Sequence, residues 1–233
     1  MTNKFKQQAL KYLLTLKAFG YENHEPFRIS SQEKCLKLSD NLKLLQKDIS
    51  NCSLCTLSKS RSQICFGSGN QNVNIMFVGL SPNIIEDETG DFFGGNSGSL
   101  LEKIILNVLN LQKNDVYCTN LVKCKTPNNR IPSADEISCC RQFLLQQIAI
   151  IKPKLIVALD EEPFKYLSGI KNCDNMRGQI IEFNQFSSLM FTYSPNFLLR
   201  NPSLKKEAFD DFKKIKNVDQ WRMCNNKNTC LPK

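Results

Sequence analysis

No apolar run in this 233-residue chain reaches 18 residues, so a membrane-spanning helix is excluded and the chain reads as a soluble protein. The mean hydropathy of -0.32 agrees. Lys4, Lys6, Lys11 and Lys17 are spread along Met1 to Ala18, with no basic patch leading into an apolar core, so this segment is not read as a secretory signal. No internal repeat is visible, which sets aside solenoids and propellers. Only one histidine is present, His24, and it falls in the N-terminal arm. Positive charge is missing between Phe77 and Leu101, where Glu86, Asp87, Glu88 and Asp91 gather after the first expected strand. That acidic stretch is read as a solvated loop.

Hydrophobic residues make up 41% of the chain, enough for a full core, so intrinsic disorder is excluded as the main state. Thirty-one Lys and Arg against 22 Asp and Glu give a net charge of +9, which suits a polyanionic partner such as nucleic acid. Eleven cysteines without a secretion signal point to a reducing compartment, taken as the cytoplasm, where thiols serve metal binding or chemistry. Cys35, Cys65, Cys118, Cys139, Cys173, Cys224 and Cys230 are read as buried or incidental.

Apolar residues at helical spacing over Lys4 to Leu16 and Ser31 to Ile49 predict an N-terminal helical arm, residues 1–50. The main domain follows over 51–216. Short β-branched runs at Asn74 to Leu80, Val116 to Val122, Leu155 to Leu159 and Leu189 to Tyr193 alternate with helices, the pattern of an α/β fold with a parallel sheet. Leu100, Leu101, Ile104, Ile105, Val108 and Leu109 form one helical stripe, and Ser133 with Glu136 is a capping box. Another helix starts near Asn201, with Pro202 at its first position and Leu204, Ala208, Phe212 and Ile215 on one face. The tail, 217–233, has little to bury and is expected to be loose.

Four cysteines stand apart. Cys52 and Cys55 form a C-x2-C pair, and Cys124 and Cys140 follow at longer separations. Cys140 is preferred to its neighbour Cys139 because it shares a helical face with Ile137, Leu144, Ile148 and Ile151. Four thiolates suit tetrahedral zinc or a [4Fe-4S] cluster, and spacing does not separate the two.

Five ordered segments then carry a resemblance: Cys52 to Asn70, Glu86 to Gly95, Thr119 to Leu144, Met176 to Gly178 and Ser194 to Lys205. In these the chain resembles the family-4 uracil-DNA glycosylases, the iron-sulfur members of their superfamily. The resemblance implies a three-layer sandwich with a central four-stranded parallel sheet flanked by helices. It implies a [4Fe-4S] cluster on Cys52, Cys55, Cys124 and Cys140, with zinc as the alternative, and a monomer that acts on uracil-containing DNA in base-excision repair.

A glycosylase of this kind flips a nucleotide out of the stack and reads its Watson-Crick edge. By resemblance, Phe93 stacks on uracil, Asn120 pairs with its O4 and N3, and Gly79 belongs to the same pocket. Lys123, Lys125, Arg130, Asn196 and Arg200 are expected to meet DNA, and Leu198 or Leu199 to fill the gap left by the base.

Two positions depart from the family pattern. Where the family has Gly-Glu-Ala-Pro-Gly this chain has Gly79, Leu80, Ser81, Pro82 and Asn83, so the water-positioning carboxylate is replaced by Leu80. Ser194 stands for the family histidine that stabilises charge on uracil O2. Losing the O2 donor costs on the order of 10²–10³ in rate. Losing help to the water costs roughly 10²–10⁴. Ser194 keeps a hydroxyl, family-5 relatives also carry an apolar residue where Leu80 sits, and Asp87 is the nearest carboxylate that could place water. The expected function is therefore uracil excision at reduced activity, with a catalytically inactive binder of uracil-containing, abasic or single-stranded DNA as the alternative.

Overall fold

The structure is a computed structural model that describes residues 38–216. The expected helix over Lys4 to Leu16, His24 and the tail lie outside the described residues. No helix among the described residues is long and apolar enough to cross a membrane.

Six strands form one sheet: β1 (Ser68–Gly69), β2 (Ile75–Gly79), β3 (Val116–Asn120), β4 (Leu155–Leu159), β5 (Ile181–Glu182) and β6 (Ser188–Thr192), in the order β1-β3-β2-β4-β6-β5. The four central strands are parallel, as the β-branched runs predicted. The two edge strands are antiparallel and were not predicted, because two residues give no alternation to read. β2, β3 and β4 are buried along their whole length, which is why β2 and β4 read as continuous apolar runs, while β3 ends in the buried polar pair Thr119 and Asn120.

Helices cover both faces of this sheet. On one side pack α3 (Gly95–Ile104), continued by a π-type turn through Ile105–Leu109, and α7 (Lys205–Ile215). Leu101, Ile105, Leu109, Ala208, Phe212 and Ile215 meet Phe77 and Val157 there. Pro202 opens a 3₁₀ turn, Pro202–Leu204, leading into α7. On the other side α4 (Ala134–Ile151) and α5 (Glu161–Ser168) cover Met76, Val78 and Ile156. The Ser133–Glu136 box caps α4 in both directions, with Ser133 N–H donating to Glu136 Oε2 at 2.8 Å.

α1 (Leu42–Ile49) starts at Asn41, whose side chain accepts from Lys43 N–H and Leu44 N–H. It buries Leu45 and Ile49 against Phe143, Val122, Cys124 and Cys140. This part of the expected arm thus shares a core with the main domain. The acidic stretch differs from its reading as a solvated loop. Asn83 caps a short helix, α2 (Ile84–Thr89), and Glu86 and Asp87 are both buried on it. One more short helix is α6 (Pro195–Arg200), and α5 ends at Gly169 in the αL conformation.

Candidate active site

The C-terminal ends of β2, β3 and β4 and the start of α6 open into a cleft of about 300 Å³, where open parallel sheets place their ligands. Its walls include Gly79, Leu80, Asn83, Glu86, Phe92, Asn120, Asp160, Ser194, Asn196, Phe197 and Arg200.

Asn120 ends β3, 3% exposed, and its amide is held by a carboxylate: Nδ2 donates to Glu86 Oε2 at 3.1 Å. The other Glu86 oxygen accepts from Asn83 Nδ2 at 2.6 Å. With Nδ2 so fixed, Oδ1 lies over Gly79, where an added Cβ would come within 2.3 Å of it. A residue with no side chain is therefore required beneath the amide. Burial pushes the Glu86 carboxyl up to about 7, against the Asn120 side-chain amide and the Asn83 backbone, whose hydrogen bonds favour its charge.

Lys123 lies behind Asn120, 2% exposed. Its ammonium donates to Thr119 Oγ1 (2.6 Å), Asn120 O (2.7 Å) and Gln147 Oε1 (2.6 Å). Burial lowers it to about 7, opposed by the thiols of Cys140, Cys65 and Cys124. It cannot reach a phosphate, which corrects the DNA contact expected for it; it is an internal prop for the strand end.

Three further expectations change in the same way. Phe93 does not line the cleft: its ring lies beneath Lys113 Nζ, 4.9 Å from the centroid, and Phe92 is the aromatic side chain that faces Gly79 and Asn120. The two rings meet edge to face at 6.0 Å. Gly98 permits this turn, since a Cβ there would sit 2.1 Å from the Phe93 carbonyl carbon. Leu198 is 1% exposed and belongs to the core, leaving Leu199 as the exposed member of the pair. Asp87 points away from the cleft and accepts from Ser62 N–H at 3.0 Å.

Arg130 forms a forked pair with Glu136 at 2.6 and 2.7 Å, and its neighbour holds that carboxyl down at about 2. Neither Arg130 nor half-buried Lys125 lines the cleft, whereas Asn196 and Arg200 do. Ser194 caps α6, its Oγ accepting from Phe197 N–H at 3.2 Å. Leu80 lines the cleft and offers no polar atom in its side chain.

A second, smaller cavity is lined by Cys52, Cys55, Cys124, Cys139 and Cys140 together with Arg61 and Phe143. Cys140 is buried and Cys139 half-exposed. Arg61 Nη1 donates to Cys124 Sγ at 3.3 Å and Lys123 N–H to Cys140 Sγ at 3.2 Å. Burial pushes the Cys140 thiol up to about 12. Cys65 ties the two cavities together, donating its thiol to Glu86 O at 3.0 Å and its N–H to Lys123 O at 2.9 Å.

The uracil DNA glycosylase superfamily model matches residues 66–215. A Type-4 uracil-DNA glycosylase of Saccharolobus solfataricus is 38% identical over 187 residues, covering 77% of this chain and 87% of that protein. The chain belongs to the Type-4 uracil-DNA glycosylase family. Members from Thermotoga maritima and Archaeoglobus fulgidus are 35% and 31% identical, covering 93% and 92% of their own lengths. Two residues of the Asn120 cleft escaped the sequence reading: Glu86 and Phe92. The Asn83-x-x-Glu86 spacing is a helix-start signal that could have placed Glu86 on a helix facing inward. Nothing in two adjacent phenylalanines tells which one turns to the cleft.

Proposed function

We propose that this chain excises uracil from DNA by hydrolysing the bond between base and sugar, as a monomer acting in base-excision repair in the cytoplasm. The observation that carries this is the Asn120 amide, clamped by Glu86 above a glycine floor and beside Phe92. With one Nδ2 hydrogen given to Glu86, the other is left for uracil O4, and Oδ1 is left to accept from N3–H. Cytosine presents an amino group and an unprotonated N3 at those places, so the same amide meets it donor to donor and acceptor to acceptor.

DNA would lie across the cleft mouth, where Arg200 meets a phosphate, Asn196 lines the rim and exposed Leu199 fills the space of the extruded base. The free thiols suit a reducing setting.

Cys52, Cys55, Cys124 and Cys140 fit a [4Fe-4S] cluster: they surround one cavity, and two of the sulfurs already accept N–H donors of the kind that support cluster thiolates. Zinc on the same four thiolates is the alternative. Such a cluster would brace α1, α4 and the segment after β3, and the hydrolysis draws no electrons from it. Through Cys65 and Lys123 that brace reaches Glu86 and Asn120.

One observation favours a second reading, a binder without chemistry: the Ser194 hydroxyl oxygen is engaged as a helix cap and Leu80 has nothing to offer a water. Oligonucleotides identical except for one U, T or C separate the readings. After incubation with stoichiometric protein and treatment with alkali, the U strand breaks and the others stay whole if the chain is a glycosylase. An intact U strand that is nonetheless bound leaves the binder.

A further inference from the structure

Leu80 and Ser194 follow β2 and β6, the two strands that flank β4, and β4 is itself followed by a carboxylate. β4 pairs with β2 at Ala158↔Val78 and with β6 at Leu159↔Thr192, so the next residue, Asp160, stands at the cleft mouth flanked by the two substituted positions. It lines the cleft with both of them.

The backbone at Asp160 is unusual. Its φ of 105° and ψ of 169° lie in a region that glycine adopts freely and L side chains rarely do. The conformation is fixed from outside by Asp160 N–H donating to Thr192 O at 2.9 Å. Asp160 also precedes α5, where an aspartate ordinarily caps the helix with its side chain, yet it makes no such bond. Its carboxylate turns the other way: Oδ1 accepts from Ser194 N–H at 3.0 Å. Local stability explains neither the backbone nor the side chain. A group held in an unfavourable conformation and aimed into a cleft points to use there.

Resting on the reading of this cleft as a uracil-excising site, we propose that Asp160 is the catalytic carboxylate of this chain, replacing from β4 the one missing at Leu80. As a water oxygen bonds to C1′ of the deoxyribose, the C1′–N1 bond breaks and its electron pair leaves with uracil. The proton lost by the water passes to Asp160, which returns it to solvent, and the uracil anion takes a proton from solvent. One oxygen anchored by Ser194 N–H leaves lone pairs of the carboxylate free for that water. Burial raises the Asp160 carboxyl above the ordinary range, tempered by the Ser194 hydroxyl and N–H and by the charge of Arg200, and a raised carboxylate is the better proton acceptor. Ser194 then serves as the anchor of the carboxylate rather than as a substitute donor to O2.

Asp160→Asn and Asp160→Gly test this. Excision is followed in a single turnover with excess protein on a uracil-containing duplex. Binding is measured on the same duplex carrying 2′-fluorinated deoxyuridine, whose glycosidic bond resists cleavage, and melting temperatures are recorded in parallel. Both variants are expected to lose roughly 10²–10⁴ in single-turnover rate with binding retained. Asp160→Gly should melt at or above the wild-type temperature, because glycine fits this φ without strain. Loss of rate in a variant as stable as the parent is an outcome that a structural aspartate does not give. Wild-type rates in either variant, with wild type itself active, overturn Asp160 alone; an intact uracil strand with wild-type protein overturns the enzymatic reading beneath it.

Discussion

Glu86→Gln isolates the carboxylate that holds the base-reading amide. Glu86 is 6% exposed, and its carboxyl titrates near 7 in the folded chain against an ordinary value of 4.5. Between those two pH values the folded chain keeps a proton that the unfolded chain releases, so stability falls as pH rises through this window. The full difference, 2.5 pH units, is about 3 kcal/mol once both states are ionised. Glutamine has the shape of the protonated acid and never ionises. At pH 4.5 to 5 it replaces a carboxylic acid that likewise keeps one acceptor oxygen between Asn83 and Asn120, so the variant should sit close to wild type. From there to pH 8 the balance should move in favour of the variant by about 3 kcal/mol, because the cost of its unmatched amide contact is the same at both pH values and cancels. Groups common to both proteins cancel. Urea unfolding of both proteins at pH 5 and pH 8 measures this as a difference of differences. An identical pH dependence in the two proteins would refute the idea that Glu86 is buried and wedged as described.

Other variants probe the same frame. Gly79→Ala puts a methyl group 2.3 Å from Asn120 Oδ1, and uracil excision should fall roughly ten- to hundredfold through displaced base pairing, seen in single-turnover kinetics, with a stability loss of about 1–3 kcal/mol. Lys123→Met removes the donor to three buried oxygens and should cost about 1–3 kcal/mol in denaturant unfolding; stability within experimental error of wild type would show that the prop is dispensable. The low value at Glu136 means stability that is full above pH 4.5 and lost as pH falls toward 2, so Arg130→Gln should flatten that acid limb by lowering stability at neutral pH while leaving stability near pH 2 almost unchanged, as urea unfolding across pH would show. Anaerobic purification should give protein absorbing broadly near ~400 nm, and Cys140→Ser should lose that absorption together with iron.

The strands and helices were legible because both faces of the sheet are covered. Leu155–Leu159 reads as an uninterrupted apolar run for that reason, and Ser133 with Glu136 announces α4 through capping chemistry confined to four residues. The site was legible only where one residue decides it, as with Asn120 at the end of its strand. Four expectations failed where a side chain's direction is set by tertiary packing. Lys123 reads as a surface cation but follows a strand end and turns inward to Gln147, 24 residues away. Phe93 and Leu198 each have a neighbour of equal hydrophobicity, Phe92 and Leu199, and rotation of a short segment chooses between them. The acidic stretch read as solvated because charge is usually outside, whereas Glu86 is satisfied by its neighbour Asn83 and by Asn120, 34 residues away. Asp160 gave no signal at all, since an aspartate before a helix ordinarily signals a cap.

The account stands on the Asn120 amide reading an extruded uracil. Its most direct measurement is the single-turnover rate of uracil release by Asn120→Ala beside wild type, with melting temperatures to show both are folded. Two hydrogen bonds to the base edge, strengthened as charge builds on the departing ring, predict a loss on the order of 10²–10³. Release of uracil at the wild-type rate by a folded Asn120→Ala protein would contradict it.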